Sequence, residues 1–240
     1  MASTSTFYLF LILGWRGTFI AWGVPVLLAC AAWLWLAPRD QLETAAPSHL
    51  AELLHDREVW RAGALFATQS AVYFSAVTWL PFLLNSRGRG ASAFVLGVLG
   101  VVVLGMAVAL VGVKGPFATS RNFYLAAGAL TLAGSLGLVF GLVDLAWLFV
   151  VLLGLGSGMT FSGAMALPPL LARRQGEVAG FSALMLAIGY LVAFSAPLLG
   201  GLLLDATGVL TAPFTLLIVG GLGMIAIGFT FRGSPRPRQA

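Results

Sequence analysis

Residues 60 to 85 read "WRAGALFATQSAVYFSAVTWLPFLLN". The stretch is long and apolar enough to lie in lipid, yet Thr68, Gln69, Ser70, Tyr73 and Ser75 crowd its middle. Whether it is a membrane span is decided by what surrounds it. The 240-residue chain is 60% hydrophobic and only 9% charged, with a mean hydropathy of +0.99. An ordinary soluble domain carries about 25% charged residues. A chain this apolar needs lipid as its solvent.

Seven apolar segments are long enough to span, at roughly 17–37, 60–84, 93–113, 122–143, 146–170, 178–204 and 209–231. Each must be helical, because an open strand in lipid leaves its backbone polar groups unpaired. The expected fold is therefore an all-α membrane protein of about seven transmembrane helices. The polar connection "PRDQLETAAPSHLAELLHDREV" (38–59) spaces Leu50, Leu53 and Leu54 as in a short surface helix that opens near Ser48. The run from Phe7 to Trp15 is too short to span, and no Lys or Arg precedes it as a secretory signal would require.

The net charge of +5 does not indicate nucleic acid, because the 13 basic residues stand singly or in pairs between apolar runs. Their distribution instead gives an orientation. With the C-terminus cytoplasmic, ten lie inside: Arg39, Arg57, Arg61, Lys114, Arg121, Arg173, Arg174, Arg232, Arg236 and Arg238. Three lie outside: Arg16, Arg87 and Arg89. The positive-inside rule then expects the N-terminus outside and the C-terminus in the cytoplasm; the expected location is the plasma (inner) membrane.

Enzyme chemistry finds no support. Ser157, in "GSGMTF" (156–161), has no membrane-depth His to activate it, since His49 and His55 both fall in the surface loop. No pair of acids sits inside a span, and Asp144, Glu177 and Asp205 fall at connections. His55–Asp56 reads as part of a solvated surface helix. Cys30 is the only cysteine, so no intrachain disulfide or Cys-rich metal cluster is expected, and no cofactor.

Four stretches resemble the major facilitator superfamily. "GWRGTFIAWGVPVLLA" (14–29) resembles the start of its sixth helix, and 38–59 resembles the linker between its two halves. "ATQSAVYFSAVTWLPFLL" (67–84) resembles the seventh helix, particularly in the cyanate-permease-like branch. "LGLGSGMTFSGAMALPPLLARRQGEVAGFSALMLAIGYLVAFSAPLLGGLLLDATG" (153–208) resembles helices ten and eleven. The family's echo motif between helices eight and nine would fall at "GVKGPFATSRNFY", where Gly112 and Arg121 fit poorly and no Asp-Arg pair stands.

The resemblance implies helices six to twelve of a twelve-helix transporter whose solute site lies between two halves. The implied organisation is an N-terminal remnant and first span at 1–37, a cytoplasmic linker at 38–59, a six-helix C-terminal half at 60–231, and a cytoplasmic tail at 232–240. It also implies transport of a small solute, with small organic or inorganic anions as the class of the branch. The partners would be the lipid bilayer, that solute, and an N-terminal half-transporter or a second copy of the chain. A non-transporting scaffold and a truncated gene product are the alternatives.

Gln69 and Tyr73 are four residues apart and share a helix face, while Thr68, Ser75 and Trp79 share another. The cavity-lining candidates are Gln69, Tyr73, Ser157, Phe161 and Tyr190; for Gln69 and Tyr73 the alternative is that they only hydrogen-bond one helix to another and hold the bundle together. With one wall of the cavity absent, Gln69, Tyr73, Ser157 and Tyr190 are expected to face hydrocarbon. Ser182, Gly189, Ala193, Ala196 and Gly200 form a small-residue stripe that would let another helix approach closely. Pro168–Pro169 and Pro197 should end or kink their helices.

Overall fold

A computed structural model describes residues 2–36, 50–88, 92–111, 117–140 and 143–231. Most of the 38–59 connection, with Arg39, His49 and the expected helix start near Ser48, lies outside these. So do Arg89, Gly112, Lys114 and the tail 232–240. Among the described residues the secondary structure is helical, with no strand. Two compact units are present, Met1–Ala46 and Pro47–Ala240.

The first unit holds α1 (Ala2–Leu36), which is broken at Gly14 (φ 66°, ψ −179°), a conformation open essentially only to glycine. Trp22 Nε1 donates to Thr6 Oγ1 at 2.9 Å. Sixteen residues of straight helix would hold these groups about 24 Å apart, so the chain doubles back at Gly14. Thr18 Oγ1 donates to the Gly14 carbonyl at 2.8 Å, which steadies the turn. Gly14 thus separates the short segment before it from the long helix that runs on to Leu36.

The second unit contains a one-turn helix, α2 (Leu50–Leu54), and six long helices. They are α3 (Arg57–Ser86), α4 (Ser92–Val111), α5 (Arg121–Phe140), α6 (Ala146–Leu171), α7 (Val178–Thr207) and α8 (Thr215–Gly228). α5, α6 and α7 are long and apolar enough to cross a membrane, and α4 and α8 carry shorter apolar runs. α3 is long enough at 30 residues, but its polar centre lowers its hydropathy. Asp56 starts α3 by accepting from the Glu58 amide at 2.9 Å. α6 ends two residues past Pro169, and α7 continues through Pro197 to Gly208, which is left-handed (φ 66°) and closes the helix. The last span becomes helical only at residue 215, because Pro213 lies in a preceding 3₁₀ turn.

Without water to drive helices together, lipid-embedded helices hold by close packing and hydrogen bonds. Glycines provide that closeness here. A Cβ on Gly156 of α6 would overlap the Ala127 carbonyl oxygen of α5, and one on Gly134 of α5 would lie 2.6 Å from the Leu153 amide nitrogen. Gly189, Ala193, Ala196 and Gly200 are buried along α7, which packs extensively against α3, as the stripe predicted. α5 reads apolar but is not simply lipid-facing: Thr131 and Ser135 are fully buried and donate to carbonyls four residues back.

Ion pairs and caps mark the two ends of this bundle. At one end, Arg61 of α3 pairs with Glu58, donates to the Thr230 carbonyl at 3.4 Å, and lies 4.2 Å from the Phe231 ring. Arg121 stacks 4.5 Å from Phe229, and Arg173 pairs with Asp56 at 3.3 Å. At the other end, Arg87 donates to the Leu138 and Val139 carbonyls at 2.9 and 3.2 Å. A cation at the carbonyl end of α5 is favoured by the helix dipole.

Candidate functional site

Gln69 lies near the middle of α3 and Ser157 near the middle of α6. Gln69 Nε2 donates to Ser157 Oγ at 3.2 Å, joining residues 88 positions apart. Gln69 is 4% exposed and Ser157 0%. Ser70 Oγ donates weakly to Gln69 Oε1 at 3.5 Å. The expectation that these two polar groups face hydrocarbon in this chain does not hold. They are buried against each other and share one hydrogen bond across the α3–α6 contact, so neither meets hydrocarbon.

Beside this polar pair lies an aromatic layer. Phe66 is three residues before Gln69 on α3, and Phe161 is four after Ser157 on α6. The two helices run antiparallel, so both rings lie about one turn nearer the end that holds Arg61. The Phe66 ring is 6.2 Å from Phe161 and meets Tyr190 of α7 edge-on, at 5.7 Å and 88°. A Cβ on Gly189 would overlap the Phe66 ring, so only glycine lets the ring lie on the α7 backbone. Phe66 is 2% exposed, while Tyr190, the outermost ring, is 55% exposed.

Of the five candidates, Gln69 and Ser157 touch each other, and Phe161 and Tyr190 meet through Phe66. Tyr73 stands apart. It is half-buried on the core formed by Val72, Ala76 and their neighbours, with its ring edge-on to Phe74 at 5.5 Å. No hydrogen bond or ring contact among the described residues joins Tyr73 to the other four. Phe66 escaped the sequence reading because a phenylalanine in an apolar run carries no polar signal. Its trace was the glycine at 189, which was read only as packing.

The second face of α3 meets α8 and the end of α7. Thr68 approaches Gly223, Val72 approaches Gly220, and the Trp79 indole lies over Gly200 beside Pro213. A separate cavity of about 230 Å³ lies at the Arg61 end, lined by Glu52, Leu53, His55, Asp56, Arg173 and Glu177. Two of its three carboxylates serve structure: Asp56 caps α3 and pairs with Arg173, and Glu177 pairs with Arg174 at 3.9 Å. It is remote from the Gln69–Ser157 pair.

Known proteins share this sequence pattern. A family model of the Major Facilitator Superfamily matches residues 3–194. An uncharacterized transporter of Bacillus subtilis (strain 168), YycB, is 25% identical over 229 residues, covering 94% of this chain and 56% of that protein. The cyanate transport protein CynX of Escherichia coli (strain K12) is 31% identical over 228 residues, covering 90% of this chain and 57% of that protein. A 2-nitroimidazole transporter of the same organism is 28% identical over 227 residues, with 90% and 56% covered. The chain therefore spans little more than half the length of these relatives. The match runs from α1 into α7 of an all-helical membrane fold, and the chain belongs to the Major Facilitator Superfamily.

Proposed function

We propose that this chain forms helices six to twelve of a secondary transporter that moves a small solute across the plasma membrane by alternating access. The observation that carries the reading is the Gln69–Ser157 pair, a buried polar contact at mid-depth beside the Phe66, Phe161 and Tyr190 rings. Such transporters place their site at the midplane, between two sets of helices. The shares of 56% and 57% that the chain covers in its relatives are close to seven helices in twelve. The names of two relatives, a cyanate transport protein and a 2-nitroimidazole transporter, support a small solute. Small organic or inorganic anions are one class within that range.

In this reading residues 1–37 and 60–231 span the membrane, 38–59 links two halves, and 232–240 is a cytoplasmic tail. The Arg61 end of the bundle faces the cytoplasm. Five of the six arginines described in the second unit lie there: Arg57, Arg61, Arg121, Arg173 and Arg174. Arg87 lies at the other end, as the positive-inside rule expects. The opposite wall of the site comes from five further helices or from a second copy of the chain. Uptake into vesicles tests this, with the chain alone beside the chain combined with the five-helix segment of a full-length relative. Saturable uptake of small neutral or anionic solutes is expected only in the second preparation. Equal uptake by the chain alone would refute the two-wall arrangement, and no saturable uptake in either would refute transport.

A further inference from the structure

Hydroxyl groups inside lipid-facing helices ordinarily spend their proton on the carbonyl one turn back. Thr131, Ser135, Thr160, Ser162, Ser182 and Ser195 all do so here, at 2.7 to 3.0 Å. Ser70, Ser75 and Ser157 do not; Ser75 has no partner among the described residues, while Ser70 and Ser157 both meet Gln69. Ser157 accepts from Gln69, and its own proton has no acceptor among the described residues. The Gln69 amide carries two N–H donors and spends one on Ser157. Two unspent donors therefore remain, on atoms 3.2 Å apart. No Asp, Glu, Lys, Arg or His lies at this depth in α3 to α8.

We infer that this pair binds a hydrogen-bond acceptor on a flat, conjugated solute, neutral or with a delocalised negative charge, while the Phe66, Phe161 and Tyr190 rings pack against its plane. The inference rests on the transport reading above. Two donors 3.2 Å apart suit one nitro, carbonyl or carboxylate group. Rings already arranged edge-to-face accept a further ring at comparable spacing. An ammonium group finds no carboxylate here, and burying it unpaired is prohibitive. A localised anion finds no cation, which favours charge spread over a π-system. The pair is buried and Tyr190 is the exposed ring, so the solute enters past Tyr190 as the Phe66 ring gives way.

Three pyridines of one shape and different charge make the test: nicotinamide, nicotinate and 3-(aminomethyl)pyridine. Binding is measured on the complete assembly, with the five further helices present, in detergent and in vesicles. Nicotinamide should bind, nicotinate more weakly because its charge stays on the carboxylate, and the ammonium compound should not bind. Ser157→Ala and Gln69→Leu should each weaken nicotinamide about 2- to 13-fold, the equivalent of one hydrogen bond. Gln69→Glu should admit 3-(aminomethyl)pyridine, a gain that a purely structural role for Gln69 would not produce. Elution volume and melting midpoint establish that each variant is folded. The inference fails if the ammonium compound binds as well as nicotinamide, if the variants leave affinities unchanged, or if no pyridine binds. Saturable uptake of other solutes in the vesicle experiment would in that case leave the transport reading standing.

Discussion

Alanine at position 189 strikes the aromatic layer at its tightest point. The added methyl would overlap Phe66 Cδ1 and lie 2.5 Å from Cε1 and 3.1 Å from Cγ. Carbon atoms pack comfortably at about 3.5–4.0 Å, so the ring must retreat by at least about 1 Å. It has little room, because Phe66 is 2% exposed and bounded by Phe161 and Tyr190. Overpacking of this kind costs about 1–3 kcal/mol. Phe66→Leu alone leaves a void, also destabilising by roughly 1–2 kcal/mol on the scale of large-to-small core changes. Combined, leucine makes room for the alanine methyl. The double variant should therefore be about 1–2 kcal/mol more stable than the sum of the two single losses predicts, since contacting residues couple on that scale. Equilibrium unfolding of the four proteins in mixed detergent micelles, followed by circular dichroism, supplies the cycle. Additivity within about 0.5 kcal/mol would mean that Phe66 does not rest on the Gly189 backbone, and the layer as described would be wrong.

Two further predictions concern the bundle and its orientation. A Gly156→Ala methyl meets backbone that cannot rotate away, the Ala127 carbonyl oxygen and the Thr131 nitrogen at 2.6 Å, whereas Gly105 has nothing within 4 Å. Gly156→Ala should lose about 3 kcal/mol or more and Gly105→Ala should be neutral or gain up to about 1 kcal/mol; melting midpoints in detergent that fail to separate the two would contradict the α5–α6 contact. Reporter fusions at Ser86 and Arg173 should read external and cytoplasmic respectively, and a cytoplasmic signal at Ser86 would invert the orientation.

The helices were largely legible because lipid removes the alternatives. Once 60% of the residues are hydrophobic, each apolar run has one stable backbone form. Departures came where a local group overrode the run. Pro213 delayed the last helix, and Gly14 folded the short run before it back on the helix that follows, a turn that hydropathy alone does not reveal. The candidate site was legible only in part. A helical wheel fixes the angle between Gln69 and Tyr73 about their own axis, but not which helix each angle meets. Gln69 points at α6, while Tyr73, one turn on, settles against the core beside Phe74. Ser157, adjacent in space but 88 residues away, could be named as a candidate but not paired.

The kind of bond that joins Gln69 to Ser157 bears on how such a site could open. α3 is held to α7 through the glycine and alanine stripe, and α5 is held to α6 through Gly134 and Gly156. The contact between α3 and α6 is much slighter than either of these. A buried ion pair there would resist separation, because parting its members strands a charge at a cost of roughly 3–5 kcal/mol. A neutral amide–hydroxyl contact in a membrane protein contributes only about 0.6 kcal/mol on average and up to about 1.7. A solute that offers its own acceptor meets the two donors that this contact leaves unspent. In the proposed transporter the polar pair therefore joins α3 to α6 by a bond that costs little to part, and its two unspent donors are placed to receive the solute.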